Sequence, residues 1–331
     1  YFNDVDVLEL KNAGIPTLEL KDYIDDKILS KYQSLENHFD FIPCESIFEP
    51  KKIPFLFSEE TLLKKLDEKS IEIEHLLNQS KNNYEAVLFQ KIAYSFGLKV
   101  NAEIYQNIAE NIEFKIIQKI SQNQFQLESL LFGKGNLLEK ETEINKKWKT
   151  EFDYLKIKFQ ISDEVFPVKF LRLMPPSFPT IRLSQLANLY HLRPNLFSKI
   201  LNAKNIQELK SYFENVKTSD FWESHYTFEK SSEEKTEKFL SDDFVEILLI
   251  NAVLPIIYTY YKNLNPEKTE QILEFYKNLK PEKNSIISQW KKQGVKPNSA
   301  LETQAFLFHH KHFCSEKNCL NCSIGFQILK S

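Results

Sequence analysis

The chain has one methionine, Met174, and six glycines in 331 residues, and only three of its 43 basic residues are arginine. So few glycines leave little room for phosphate-cradling loops. No P-loop, no dinucleotide G-x-G-x-x-G, no G-x-S-x-G elbow and no H-E-x-x-H pair occurs, which excludes the enzyme classes built on them. No uninterrupted apolar run approaches the length needed to cross a bilayer. The longest, residues 245–261, is interrupted by Glu246, Asn251 and Pro255 and reads as a buried helix, so no membrane partner is expected. Four cysteines in so long a chain do not make a disulfide framework, and their clustering points to a reducing, cytoplasmic setting. The chain begins with tyrosine, so this reading expects a translation start upstream.

What is present is unevenly distributed. The net charge is −3, which argues against a broadly basic nucleic-acid coat. Between Val165 and Gln207, however, there are basic residues and no acidic one, and all three arginines, Arg172, Arg182 and Arg193, lie there. Lysine supplies positive charge elsewhere, so arginine in one window suggests a need for a planar, forked cation that binds phosphate or carboxylate through paired N–H groups. The rigid run Met174-Pro175-Pro176-Ser177-Phe178-Pro179 delivers Thr180 as an expected helix N-cap. Its free N–H groups, with Arg172 and Arg182, would form an anion or nucleic-acid cradle. The same arginines equally suit ion pairs inside the fold.

Periodicity divides the chain at 57/58. In the first part, residues 5–10 alternate, Ala13-Gly14 marks a turn and residues 16–20 return, giving a small β-hairpin. Its sheet partners would lie upstream. From Ser58 the apolar spacing turns helical, with starts marked by Asn82 or Asn83, Thr180 and Asn284, and stops at Gly97 and Gly133. The expected fold is α+β and predominantly α-helical: a partial β-containing domain over 1–57 and a helical body over 58–331.

Cys314, Cys319 and Cys322 form C-x4-C-x2-C near the end of the sequence. A C-x2-C turn can present two thiolates to one ion, and Gly325 suits the tight backbone of such a knuckle. Three sulfurs are one short of a closed tetrahedral site. Either His312 or the distant Cys44 would complete it, and Cys44 would also suit an iron–sulfur cluster. The alternative is four small buried hydrophobes. His309 and His310 are candidate outer groups beside the cluster, and Phe221-Trp222-Glu223-Ser224-His225-Tyr226 reads either as a site or as core.

Several segments, in order along nearly the whole chain, resemble a bacterial family of uncharacterised proteins, the domain of unknown function numbered 2851. They include Ile15-Pro16-Thr17-Leu18-Glu19-Leu20, Pro43-Cys44-Glu45, Phe96-Gly97-Leu98-Lys99-Val100-Asn101-Ala102-Glu103 and Gln126-Leu127-Glu128-Ser129-Leu130-Leu131-Phe132-Gly133. Further matches are Phe178-Pro179-Thr180-Ile181-Arg182-Leu183-Ser184-Gln185, Leu248-Leu249-Ile250-Asn251, Asn284-Ser285-Ile286-Ile287 and Cys319-Leu320-Asn321-Cys322-Ser323-Ile324-Gly325. The resemblance implies an upstream segment with Pro-Asp and Glu-x-His motifs, similar to the PD-(D/E)XK nuclease core, in which carboxylates hold Mg²⁺. The expected function is then a nucleic-acid-processing, nuclease-like protein whose catalytic segment is not in this chain. The alternatives are a non-catalytic scaffold or a small-anion binding module.

Overall fold

The computed structural model describes residues 4–16, 23, 25–37 and 41–330. It is predominantly α-helical, and among the described residues no β-strand occurs; β-pairing is confined to the isolated bridges Lys217 to Phe239 and His225 to Ser231. The expected N-terminal hairpin is therefore corrected. Asp4–Asn12 is a helix, and residues 17–20 of the return strand lie outside the described residues. The spacing that suggested alternation also places Val5 with Leu8 and Val7 with Leu10, three apart, as a helix requires. The supposed turn is a helix stop. Gly14 sits at φ 71°, its N–H donates to the Lys11 carbonyl, and the Ile15 N–H donates to the Leu10 carbonyl, the two closing bonds of a Schellman cap.

The chain divides into two compact units: 62–281 with 298–301, and 1–61 with 282–297 and 302–331. The sequence expectation placed the cysteine trio in the helical body. The packing groups it with the N-terminal segment instead.

In the larger unit, asparagine opens helix after helix. Asn83 accepts from Ala86 N–H, Asn205 from Glu208 N–H and Asn265 from Glu267 N–H, each satisfying a donor that the first turn leaves unpaired. Gly97 separates Tyr84–Phe96 from Leu98–Glu110 for a steric reason: a Cβ there would lie 2.4 Å from the Asn101 carbonyl oxygen. Gly133 is needed where the helix Gln124–Lys134 crosses Lys146–Phe159, because a Cβ would meet the Phe152 ring at 2.4 Å. The segment Asp242–Tyr261 is long and apolar enough to cross a membrane, but 78% of its apolar window is buried within the protein. It is interrupted by a π-turn over Leu249–Val253, where Asn251 Nδ2 donates to the Ile247 carbonyl at 3.1 Å. Asn251 Oδ1 accepts from Lys69 Nζ at 3.4 Å, so this polar residue within the apolar run is satisfied inside the fold.

The smaller unit has its own core. Leu35, Ile42, Phe57, Trp290, Phe306 and Ile328 are buried together, and the buried thiols Cys44, Cys314 and Cys322 belong to the same cluster. Trp290 packs edge-on against Phe48 at 5.6 Å and lies against Phe306 at 4.9 Å.

Candidate metal centre

The helix Ala300–His309 runs into a π-turn over His310–Cys314, which changes the direction in which the Cys314 side chain leaves the helix. A single 3₁₀ turn, Cys319–Asn321, then leads to Cys322, and a last helix covers Ser323–Lys330. The Cys322 sulfur sits over the start of that helix, where it accepts the Gly325 N–H at 3.2 Å. Gly325 cannot be larger, since a Cβ would lie 2.3 Å from the Cys319 carbonyl oxygen. Cys44 reaches the same place from a short turn before the 3₁₀ helix Glu45–Ile47.

All four cysteines line one apolar cavity, together with Pro43, Trp290, His309, Phe313 and Ile324. The cavity holds about 10 Å³, close to the room one water needs. Among the described residues, no three His, Cys, Asp or Glu side chains are already gathered about a point as metal ligands, so closing a site here requires the thiols to turn inward. None of the four cysteines is in a disulfide.

Their electrostatics are coupled. Burial, with charge on Cys322 and Cys319 acting in the same direction, pushes the Cys44 thiol up to about 12. Cys314 is raised by burial and then by Cys322, Cys44 and Cys319. Cys322 is raised by burial as well, but the N–H groups of Gly325 and Ile324 oppose the shift. Four clustered thiols resist joint ionisation unless a cation compensates. Two backbone N–H groups directed at one sulfur favour the thiolate there.

His309 is the residue that sequence reasoning undervalued. It is 2% exposed, and its Nε2 lies 3.2 Å from the Cys322 sulfur. The ring is held by Phe57 at 5.0 Å and Phe313 at 4.9 Å. Its signal in the sequence was faint: a histidine four residues after Ala305 on the buried face of the last long helix. His312, the alternative fourth ligand, does not line the cavity; its ring lies against Phe308 at 4.1 Å.

The arginine window belongs to the larger unit and does not form one cradle. Thr180 is not the N-cap: Phe178 caps the helix Pro179–Leu192 and Pro179 takes its first position. Thr180 is buried and its hydroxyl donates to the Tyr226 carbonyl, so it is not free to hold an anion. Arg182 lies over the Phe244 ring, its Cζ 3.9 Å from the ring centre, and donates to Gln185 Oε1 at 3.1 Å. Burial lowers its pKa to about 10, with Tyr105 opposing the shift. Arg193 caps the far end of the same helix and donates to the Leu192 carbonyl at 3.1 Å. At 1.5 Å per residue, Arg182 and Arg193 stand roughly 16 Å apart along the axis, too far for one anion. Arg172 is exposed, at φ 62°, in the irregular stretch before the helix. Among the described residues, no arginine is paired with an Asp or Glu.

A second polar cluster lies in the larger unit. Glu128 is fully buried and accepts from the Ser184 hydroxyl, from the Ser219 hydroxyl at 3.0 Å and from Trp148 Nε1 at 3.3 Å. Burial raises its pKa against these hydrogen bonds. Every partner is internal, and the group ties three segments together. Trp222 is core, and His225 stacks on Phe221 at 4.1 Å, so that aromatic segment packs rather than forming a site.

The family described as proteins of unknown function DUF2851 matches residues 1–285. This chain belongs to the DUF2851 family. No curated protein and no solved structure matches it. In this DUF2851 protein Cys44 falls within the matched residues, while Cys314, Cys319 and Cys322 follow them.

Proposed function

We propose that the smaller unit is closed by a thiolate-ligated metal centre made of Cys44, Cys314, Cys319 and Cys322. The observation that carries this reading is the convergence of all four cysteines of the chain on one apolar cavity beside a buried histidine. Four thiolates make a closed tetrahedral set with no position left for water or substrate, so the role is to hold the fold together. A zinc ion suits a cavity of about 10 Å³; an iron–sulfur cluster would need the thiols to move apart. Such a site belongs in a reducing cytoplasm. Metal analysis and the absorption spectrum of the anaerobically purified full chain test this. Zinc in a colourless sample is the expected result, iron with a visible charge-transfer band would make the centre a cluster, and absence of both would refute a metal centre.

A second reading concerns the larger unit: nucleic-acid binding through Arg172 and Arg193. It is favoured by guanidinium groups that lack acidic partners among the described residues, inside a stretch without Asp or Glu. The nuclease-like activity implied by the family resemblance would add Mg²⁺-dependent cleavage, and no carboxylate pair in this chain is assigned to that step. Binding of single- and double-stranded oligonucleotides across a salt series tests it, since each phosphate contact steepens the loss of affinity with salt. Binding absent at low salt would leave a scaffold role.

A further inference from the structure

Resting on the metal centre just proposed, we infer that His309 is its positioning residue: an Nε2–H donor that holds the Cys322 sulfur from outside a sulfur-only ligand set. Nε2 and Sγ are 3.2 Å apart, the reach of a hydrogen bond to sulfur. The tautomer with its proton on Nε2 makes that contact an N–H···S bond. Cys322 already accepts the Gly325 N–H at 3.2 Å, so two donors act on one sulfur. That arrangement fixes where the sulfur sits and supports its thiolate form.

The rival arrangement makes His309 itself a ligand, with three sulfurs and one nitrogen on the ion. The half-exposed Cys319 would then be the sulfur left out. The structure favours the outer role on two grounds. Four thiols line the cavity, and four sulfurs suffice for a tetrahedral ion without a fifth donor. The imidazole is also packed against Phe57 and Phe313, with its Nε2 directed at the Cys322 sulfur. Outer donors of this kind orient the ligands, and losing one typically weakens metal binding by about 10–100-fold.

The experiment titrates Co²⁺ into the metal-free full chain. Thiolate-to-cobalt charge-transfer and ligand-field bands report the ligand set and the affinity together. X-ray absorption of the Zn²⁺ form counts sulfurs at about 2.3 Å against nitrogen at about 2.0–2.1 Å. Wild type and His309→Phe should show the same sulfur-only set, with Co²⁺ affinity lower by about 10–100-fold in the variant. Phenylalanine keeps a ring between Phe57 and Phe313, so packing alone predicts no loss. His309→Gln, which restores an N–H donor, should recover most of the affinity. A nitrogen ligand in wild type that disappears in His309→Phe would overturn the positioning role in favour of direct ligation. Equal affinity in wild type and His309→Phe would overturn it outright. Failure of wild type to bind Co²⁺ at all would instead remove the four-cysteine centre, and the positioning role with it.

Discussion

Gly133→Ala sets two effects of opposite sign against each other. In an ordinary helix the change stabilises by up to about 1 kcal/mol, because alanine has less backbone freedom to lose on folding. Here the new methyl would sit 2.4 Å from the Cδ2 and Cγ atoms of Phe152, a separation no van der Waals contact tolerates. The ring is itself buried and packed in the core of the larger unit, so it cannot swing into solvent. Overpacking of this kind costs about 1–3 kcal/mol or more, and Gly133 lies one residue from the end of its helix, where the propensity gain is smallest. The net expectation is a loss of about 1–2 kcal/mol. Taking a urea m-value of about 2.5 kcal/mol/M, the midpoint should fall by about 0.4–0.8 M. Phe152→Leu supplies the second arm. Combined with Gly133→Ala it should cost less than the sum of the single changes, since the smaller side chain gives the methyl room. A higher urea midpoint for Gly133→Ala, or strict additivity in the cycle, would refute the close-crossing argument.

Further outcomes are expected. Glu128 holds its proton more tightly folded than unfolded, so the folded state binds more protons between the ordinary glutamate pKa and the raised one, and stability falls as pH rises across that interval; Glu128→Gln should flatten this slope in urea unfolding measured from pH 4 upward. Gly325→Ala, which drives a methyl into the Cys319 carbonyl oxygen, should abolish metal retention while far-UV circular dichroism stays largely helical. Arg172→Ala should lower the salt slope of nucleic-acid binding by about one, whereas Arg182→Lys should leave the slope unchanged and cost about 0.5–2 kcal/mol of stability through its lost stack on Phe244. Chelation should raise the protease sensitivity of 302–331 and leave fragments from 62–281 intact, as read by mass spectrometry.

The helices of the larger unit were legible because two local signals agree there. Asn83, Asn205 and Asn265 each cap a first turn, and the apolar period that follows needs no knowledge of the rest of the chain. The N-terminal segment misled because its letters serve two periods at once, and because a glycine with positive φ ends a helix as readily as it turns a hairpin. Arg182 misled for a different reason. A guanidinium alone in an acid-free window suggests an anion, yet its flat face can be satisfied by Phe244, a partner more than sixty residues away that no local pattern reveals. The C-x2-C spacing and the need for a small residue at Gly325 could be read directly. That Cys44 rather than His312 faces the trio could not, since the choice depends on how two distant segments meet. His309 was visible only as one of two adjacent histidines, and burial alone distinguishes it.

The smaller unit is assembled from stretches that flank 62–281 in the chain. On the ribosome its first stretch therefore emerges long before the others. At about 5–20 residues per second, residues 41–57 wait on the order of ten to forty seconds while 62–281 is made. During that time Cys44, Phe48 and Phe57 lack Trp290, Phe306 and Cys314, the groups that bury them in the finished fold. The larger unit can build most of its core in the interval, all but Ala300 and Leu301, because its helices draw mainly on neighbours already synthesised. Nascent chains of this protein should accordingly pass through a stage in which one unit is nearly finished and an apolar, thiol-bearing segment of the other is still unsheltered. That stage is where a chaperone, or a delivered metal ion, would have most to offer.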